Sequence, residues 1–151
     1  MSAKDGFEGE ILDLLFLNTP IAGIGDSNGI LGSVSAGSFN IALYKVAPDD
    51  ASQGTECDYA GYARASVVRN ASGFTRSGNN ISNSAAVLFP QCVSGTMQQA
   101  VSFTINKGST PGVNDAIIWG MNYLGGTLTP LDISTGITPR FDIGDLDINV
   151  D

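Results

Sequence analysis

Histidine is absent from these 151 residues. Its absence removes the commonest general base, the usual partner of a nucleophilic serine and the favoured nitrogen ligand of transition metals. Basic residues are scarce as well: three Lys and four Arg stand against twelve Asp and three Glu, a net charge of −8. Affinity for nucleic acid comes mainly from Lys and Arg displacing counterions, so no direct nucleic-acid partner is expected, and anionic membrane surfaces are disfavoured for the same reason. Two cysteines, Cys57 and Cys92, do not make a disulfide framework. They read as free or buried thiols, although their separation is compatible with a bridge between neighbouring strands. Long apolar runs are missing too. The longest, Ile11 to Leu17, is broken by Asp13 and is far too short to span a bilayer. The opening Met1-Ser2-Ala3-Lys4-Asp5-Gly6 has no basic segment leading into an apolar core, so synthesis in the cytoplasm without a secretory leader is expected.

What is present points to a globular chain rich in tight turns. Hydrophobic residues make up 42% and charged residues only 15%, with 19 glycines, so the polar surface has to be built from Ser, Thr, Asn and Gln. The length suits a single domain over residues 1–151. Phe7, Ile11, Leu14 and Leu15 fall at i, i+4, i+7 and i+8, which predicts a helix over 6–18, capped by Asp5 or Gly6 and ended by Asn18-Thr19-Pro20. Leu12, Phe16 and Leu17 widen its apolar surface beyond one stripe. Such a helix must pack on its own sheet or on a neighbouring subunit, and an interface through Phe7, Ile11, Leu12, Leu15, Phe16 and Leu17 is expected. After a Gly/Ser/Asn-rich connection, strands are expected at 39–46, 61–69, 81–89, 99–106 and 115–124, with two or three more within 127–151. Val101, Phe103 and Ile105 alternate with Ser102, Thr104 and Asn106, the period of a sheet with one wet face. The fold class that follows is all-β, an antiparallel jelly-roll-like β-sandwich over 39–151 with one N-terminal α-helix.

No constellation for catalysis stands out. Asp142, Asp145, Asp147 and Asp151 offer oxygen ligands to a hard cation or a glycosidase pair, yet Leu146, Ile148 and Val150 alternate with them. That pattern puts Asp145, Asp147 and Asp151 on one strand face, where hydration accounts for them. Gly23-Ile24-Gly25-Asp26-Ser27-Asn28-Gly29 lacks the Lys-Ser/Thr of a phosphate loop, and the cysteines lack metal-ligand spacing. No catalytic residue, cofactor or metal is therefore expected. Trp119 reads as core. Tyr59 and Tyr62, beside glycines, stay open between core and a sugar-stacking platform. Arg64, the one charge in an otherwise apolar segment, is either an outward-pointing side chain or one half of a structural or intersubunit ion pair.

Six segments together carry a resemblance. They are Phe39 to Tyr44, Gly54-Thr55-Glu56, Gly61-Tyr62-Ala63-Arg64, Ile81 to Pro90, Ile117-Ile118-Trp119-Gly120 and the closing Leu146 to Asp151. With the opening helix, from about Phe7 to the end, the chain resembles the small virion proteins of tailed phages labelled "phage tail fibre protein". Longer Gly/Ser inserts around 20–38 and 106–115 depart from that pattern. The resemblance implies a non-enzymatic virion structural protein, with a capsid decoration (cement) protein on the major capsid lattice as the first expectation. The alternative it implies is a tail-fibre or tail-tip component, including a glycan- or receptor-binding module. It also implies a homo-oligomer, a trimer at a symmetry axis, partnered by the major capsid protein or another virion protein.

Overall fold

The computed structural model describes residues 4–121, 123, 124 and 127–149. In chain order it forms α1 (Asp5–Leu17), β1 (Ser38–Val46), β2 (Thr55–Glu56), β3 (Ala65–Val68), β4 (Phe74–Ser77), β5 (Asn80–Asn83), β6 (Val87–Leu88) and β7 (Gln98–Ala100). There follow β8 (Ser102–Asn106), β9 (Ala116–Met121), β10 (Tyr123–Leu124), β11 (Thr127–Leu128), β12 (Leu131–Ile133), β13 (Arg140–Phe141) and β14 (Asp147–Asn149). The fold is all-β with one N-terminal helix among the described residues, and its sheets are antiparallel and open. Two compact units share the chain. One draws on Met1–Ser38, Val68–Val87 and Phe141–Asp151, the other on Phe39–Val67 and Leu88–Arg140.

In the first unit a three-stranded sheet runs β14-β5-β4, with Phe74 opposite Asn83 and Ile81 opposite Arg76 and Ile148. Helix α1 lies on this sheet with a face rotated from the expected one. Leu12 and Phe16 are buried, as are Glu8 and Gly9, whereas Phe7 is exposed and Ile11, Leu14, Leu15 and Leu17 are half-buried. Polar docking explains the rotation. Asn79 donates to Glu8 at 2.7 Å, Arg76 to Asp13 at 2.6 Å, and the absence of a side chain at Gly9 lets the Arg76 guanidinium lie against the helix, 2.8 Å from where a Cβ would sit. Phe16 then meets Phe74 edge-on, centroids 5.0 Å apart. The expected cap at Asp5 or Gly6 is corrected: Lys4 holds the N-cap position without a side-chain bond, and Asp5 sits in the first turn, where its charge suits the dipole.

At its other end α1 stops at Asn18, which turns left-handed at φ 58°, while its side chain grips Ser33 through both main-chain groups (2.7 and 2.9 Å). The last carbonyls of a helix need donors. Arg69 supplies them, giving Nε to Leu15 O at 2.6 Å and Nη2 to Leu14 O at 2.9 Å, and Nη1 to Ala36 O at 3.1 Å. Asn83, wholly buried, does similar work for the turn before β14. Its amide donates to Ala85 O and Asp142 O at 2.8 Å each, and its Oδ1 accepts from Leu146 N at 2.9 Å.

The second unit is built on the order β2-β1-β8-β9, with β3 also paired to β1. Ile41 faces Ile105 and Leu43 faces Phe103 across the β1–β8 pair, which places the apolar face of the sheet. The opposite face is a correction to the expected wet one. Ser102, Thr104 and Asn106 are all buried, as is Tyr44 opposite Ser102. Burial there is sustained by hydrogen bonds: Asn106 donates to Asn40 O at 3.0 Å and Thr104 Oγ1 at 2.7 Å, and Ser102 to Gly120 O at 2.7 Å. The segment Gly61–Arg64 is a turn, not the start of a strand, since Tyr62 N returns to Tyr59 O at 2.8 Å. Strand β4 escaped the sequence pattern because Phe74 is its one apolar residue.

Across the β8–β9 pair Phe103 stands opposite Gly120, and its ring occupies the space a side chain would take, with a Cβ only 2.7 Å from Cζ. Gly120→Val should therefore displace the ring and cost about 1–3 kcal/mol, as overpacking does. A urea unfolding midpoint that falls with the slope unchanged is the expected readout; an unshifted midpoint would show the ring free to move aside.

Candidate functional site

Arg64 is the most constrained charge in the second unit. It is buried, its side chain fully so, and each of its five N–H groups has an acceptor. Nε and Nη2 form a fork on the two Glu56 oxygens at 3.0 Å each. Nη1 reaches Asp115 Oδ1 at 2.7 Å and Gly108 O at 2.9 Å, and Nη2 also reaches Val113 O at 2.9 Å. The acids have further donors: Gly112 N at 2.6 Å and the Tyr62 hydroxyl at 2.8 Å on Glu56, and Gly108 N on Asp115. Tyr62 in turn accepts from Leu43 N at 3.0 Å, which ties the cluster to β1. Burial alone would push the guanidinium down, but its bonds to Glu56 and Asp115 hold it above its ordinary value. Arg64 is therefore paired within the chain, and its bonds pin the 107–115 loop to β2.

The aromatic residues divide unlike the expectation. Tyr59 is buried with its hydroxyl on Pro90 O at 2.9 Å, Tyr62 is half-buried, and the two rings meet edge-on at 5.2 Å, so neither forms a platform. Trp119, read as core, is instead 45% exposed. It lines a cleft of about 320 Å³ together with Tyr44, Asn114, Ala116, Ile117 and the 48–53 loop. Placement in β9 explains the exposure: Trp119 is opposite Thr104, on the sheet face whose inner part the Arg64 cluster occupies near Tyr44.

Both cysteines are buried and free. Burial pushes the Cys57 thiol up to about 12, against an ordinary value of 9.0. Asp142, Asp145 and Asp147 are exposed while Leu146 and Ile148 are buried, as the alternation requires, and Asp145 accepts from Asp142 N at 2.9 Å to close a turn. Asp151 lies outside the described residues. Among the described residues no three His, Cys, Asp or Glu side chains gather as a metal site would need. Of the expected interface residues, Leu12 and Phe16 lie inside the chain's own core, Phe7 is exposed, and Ile11, Leu15 and Leu17 are partly accessible. Asp115 and Arg69 were not singled out by the sequence, and Glu56 entered only within the Gly54-Thr55-Glu56 segment, not as a partner of Arg64. The signal that finds Glu56 is its rarity, as one of three Glu in the chain, eight residues before a lone Arg.

The geometry is that of an all-β protein whose charged cluster braces loops. A family model described as Podophage GP4 fiber I protein gp80 matches residues 33–149. The chain belongs to that family, and is thereby a phage structural protein and a virion component. No curated protein sequence matches it significantly.

Two outcomes follow from the cluster and the thiol. Arg64→Met would strand Glu56 and Asp115 without their partner, and should cost about 3–5 kcal/mol by urea unfolding; a loss under about 1 kcal/mol would mean that the acids find water. Because Cys57 holds its proton to a higher pH folded than unfolded, its stabilisation is complete below about pH 9 and is lost as pH rises toward 12. Tyr44, Tyr59 and Tyr62 are raised mainly by burial and add to the same decline above their ordinary 10.0. Unfolding midpoints measured from about pH 8 to 11 should fall, and Cys57→Ala should flatten the slope by up to about 1.4 kcal/mol per pH unit.

Proposed function

We propose that the protein is a non-enzymatic, single-domain building block of the phage fibre, assembled as a homo-oligomer and attached to other virion proteins through apolar and neutral polar surface. The observation that carries this reading is the family match over most of the chain, to a family described as a fibre protein. The word fibre in that family's description supports the fibre reading, and the expected place on the major capsid lattice is the other outcome of the test below. The absence of histidine and of phosphate-loop or metal-ligand spacing supports the non-enzymatic half.

Attachment falls to the segment ahead of the matched span. Phe7, Ile24, Ile30 and Leu31 are all exposed there, and Ile11, Leu15 and Leu17 are partly so. With Arg64, Arg69 and Arg76 engaged inside the chain, a contact driven by its own basic residues has little to draw on. Deleting the helix would also remove Phe16 from Phe74, so surface substitutions are the cleaner probe. Phe7→Ser with Leu31→Ser should leave the fold intact and lower the amount incorporated into particles. Binding by the natural chain should persist near 1 M salt, where the Debye length is ~3 Å; shedding there would refute the apolar attachment. Gold-labelled antibody on intact particles should mark the fibres, and label spread over the capsid shell would replace the fibre reading with the decoration reading.

A further inference from the structure

We propose that the cleft at Trp119 is a binding subsite for a neutral saccharide. A sugar ring offers a ligand with two unlike surfaces, an apolar face of C–H groups and a rim of hydroxyls. The cleft presents both complements. Trp119 holds a broad aromatic face at the surface, 45% exposed, although its neighbour across the strand pair, Thr104, is wholly buried. Around it stand polar groups not engaged elsewhere: the side chains of Asp50 and Asn114 make no hydrogen bond with the described residues, and both line the cleft. A carboxylate accepts two hydroxyls, and an amide both donates and accepts, which is the mixture a polyol rim requires. The volume of about 320 Å³ lies at the small end of ligand pockets, suited to one or two rings of a longer chain.

The walls are held in place before any ligand arrives. Asp49 closes the loop on itself, its Oδ1 accepting from Ala51 N at 2.8 Å and Ser52 N at 2.7 Å. Gly54, at φ 70°, lets the loop fold back where a Cβ would lie 2.3 Å from Val46 O. Gln53 donates to Gly112 O at 2.8 Å, which ties the 48–53 loop to the segment that Arg64 pins. Preorganisation of this kind lowers the ordering cost of binding. No Lys or Arg lines the cleft, in a chain of net charge −8, so phosphate, sialic acid and uronic acids are rejected and neutral sugars admitted. The inference does not rest on where in the virion the protein sits.

Trp119 is the chain's single tryptophan, so its fluorescence reports this cleft alone. The full chain is titrated with maltohexaose, chitotetraose and a neutral galacto-oligosaccharide, and with polygalacturonate as the acidic counterpart. A saturable change in emission with at least one neutral probe and none with polygalacturonate is expected. By calorimetry with the responding sugar, Trp119→Ala should abolish binding and Asp50→Asn, at an exposed position, should weaken it about tenfold. Flat emission with every neutral probe up to ~10 mM, an equal response to polygalacturonate, or unchanged affinity in both variants would each overturn the proposal.

Discussion

A guanidinium kept away from water is the constraint around which the second unit is arranged. Removing a charge from solvent costs several kcal/mol unless every donor is matched, and a single unmatched N–H returns much of that cost. Five acceptors therefore have to meet at one point, two from Glu56 on β2 and three from Gly108, Val113 and Asp115 of the 107–115 loop. Once they do, the loop is held at Gly108, Val113 and Asp115 together. Such a cluster contributes less to net stability than apolar packing of equal volume would. It contributes selection of one loop arrangement among many, which a glycine-rich segment cannot make for itself.

The first unit solves the same problem with less charge. Arg69 satisfies the helix's last carbonyls and Asn83 satisfies the turn ahead of β14, so long irregular segments are anchored to side chains that reach out from short strands. Arg76 pairs with Asp13 in this unit, as Lys45 does with Asp58 in the second. Arg64, Arg69, Arg76 and Lys45 thus serve the interior or local bracing, in a chain with more than twice as many acids as bases. An acidic exterior repels like surfaces and keeps particles dispersed.

Much of this was legible before the structure. Helix α1, β1, β8 and the buried Leu146 and Ile148 follow from periodicity alone, because each presents repeated apolar positions that only one element can bury together. What periodicity misses is burial of polar groups. Ser102, Thr104 and Asn106 read as a wet face, since alternation reports only which residues differ and not whether a loop covers them. The rotated face of α1 was hidden for a related reason: Gly9 and Glu8 make the contact, and neither adds to an apolar stripe. Trp119 misled in the opposite direction, a large aromatic in a strand left half in solvent at the rim of a cleft. Arg64 was visible as an anomaly, but its partners, separated by eight and fifty-one residues, belong to a distance that sequence spacing does not encode.

The burial of Cys57 has a consequence for durability. Oxidants and disulfides react with thiolate and not with thiol. A sulfur whose proton is held to about 12 presents only about one thiolate in 10⁵ at neutral pH, and the surrounding core keeps peroxide from reaching even that fraction. Disulfide exchange and oxidation of this thiol are therefore slow for as long as the fold stays closed, and the chain can carry it unbridged.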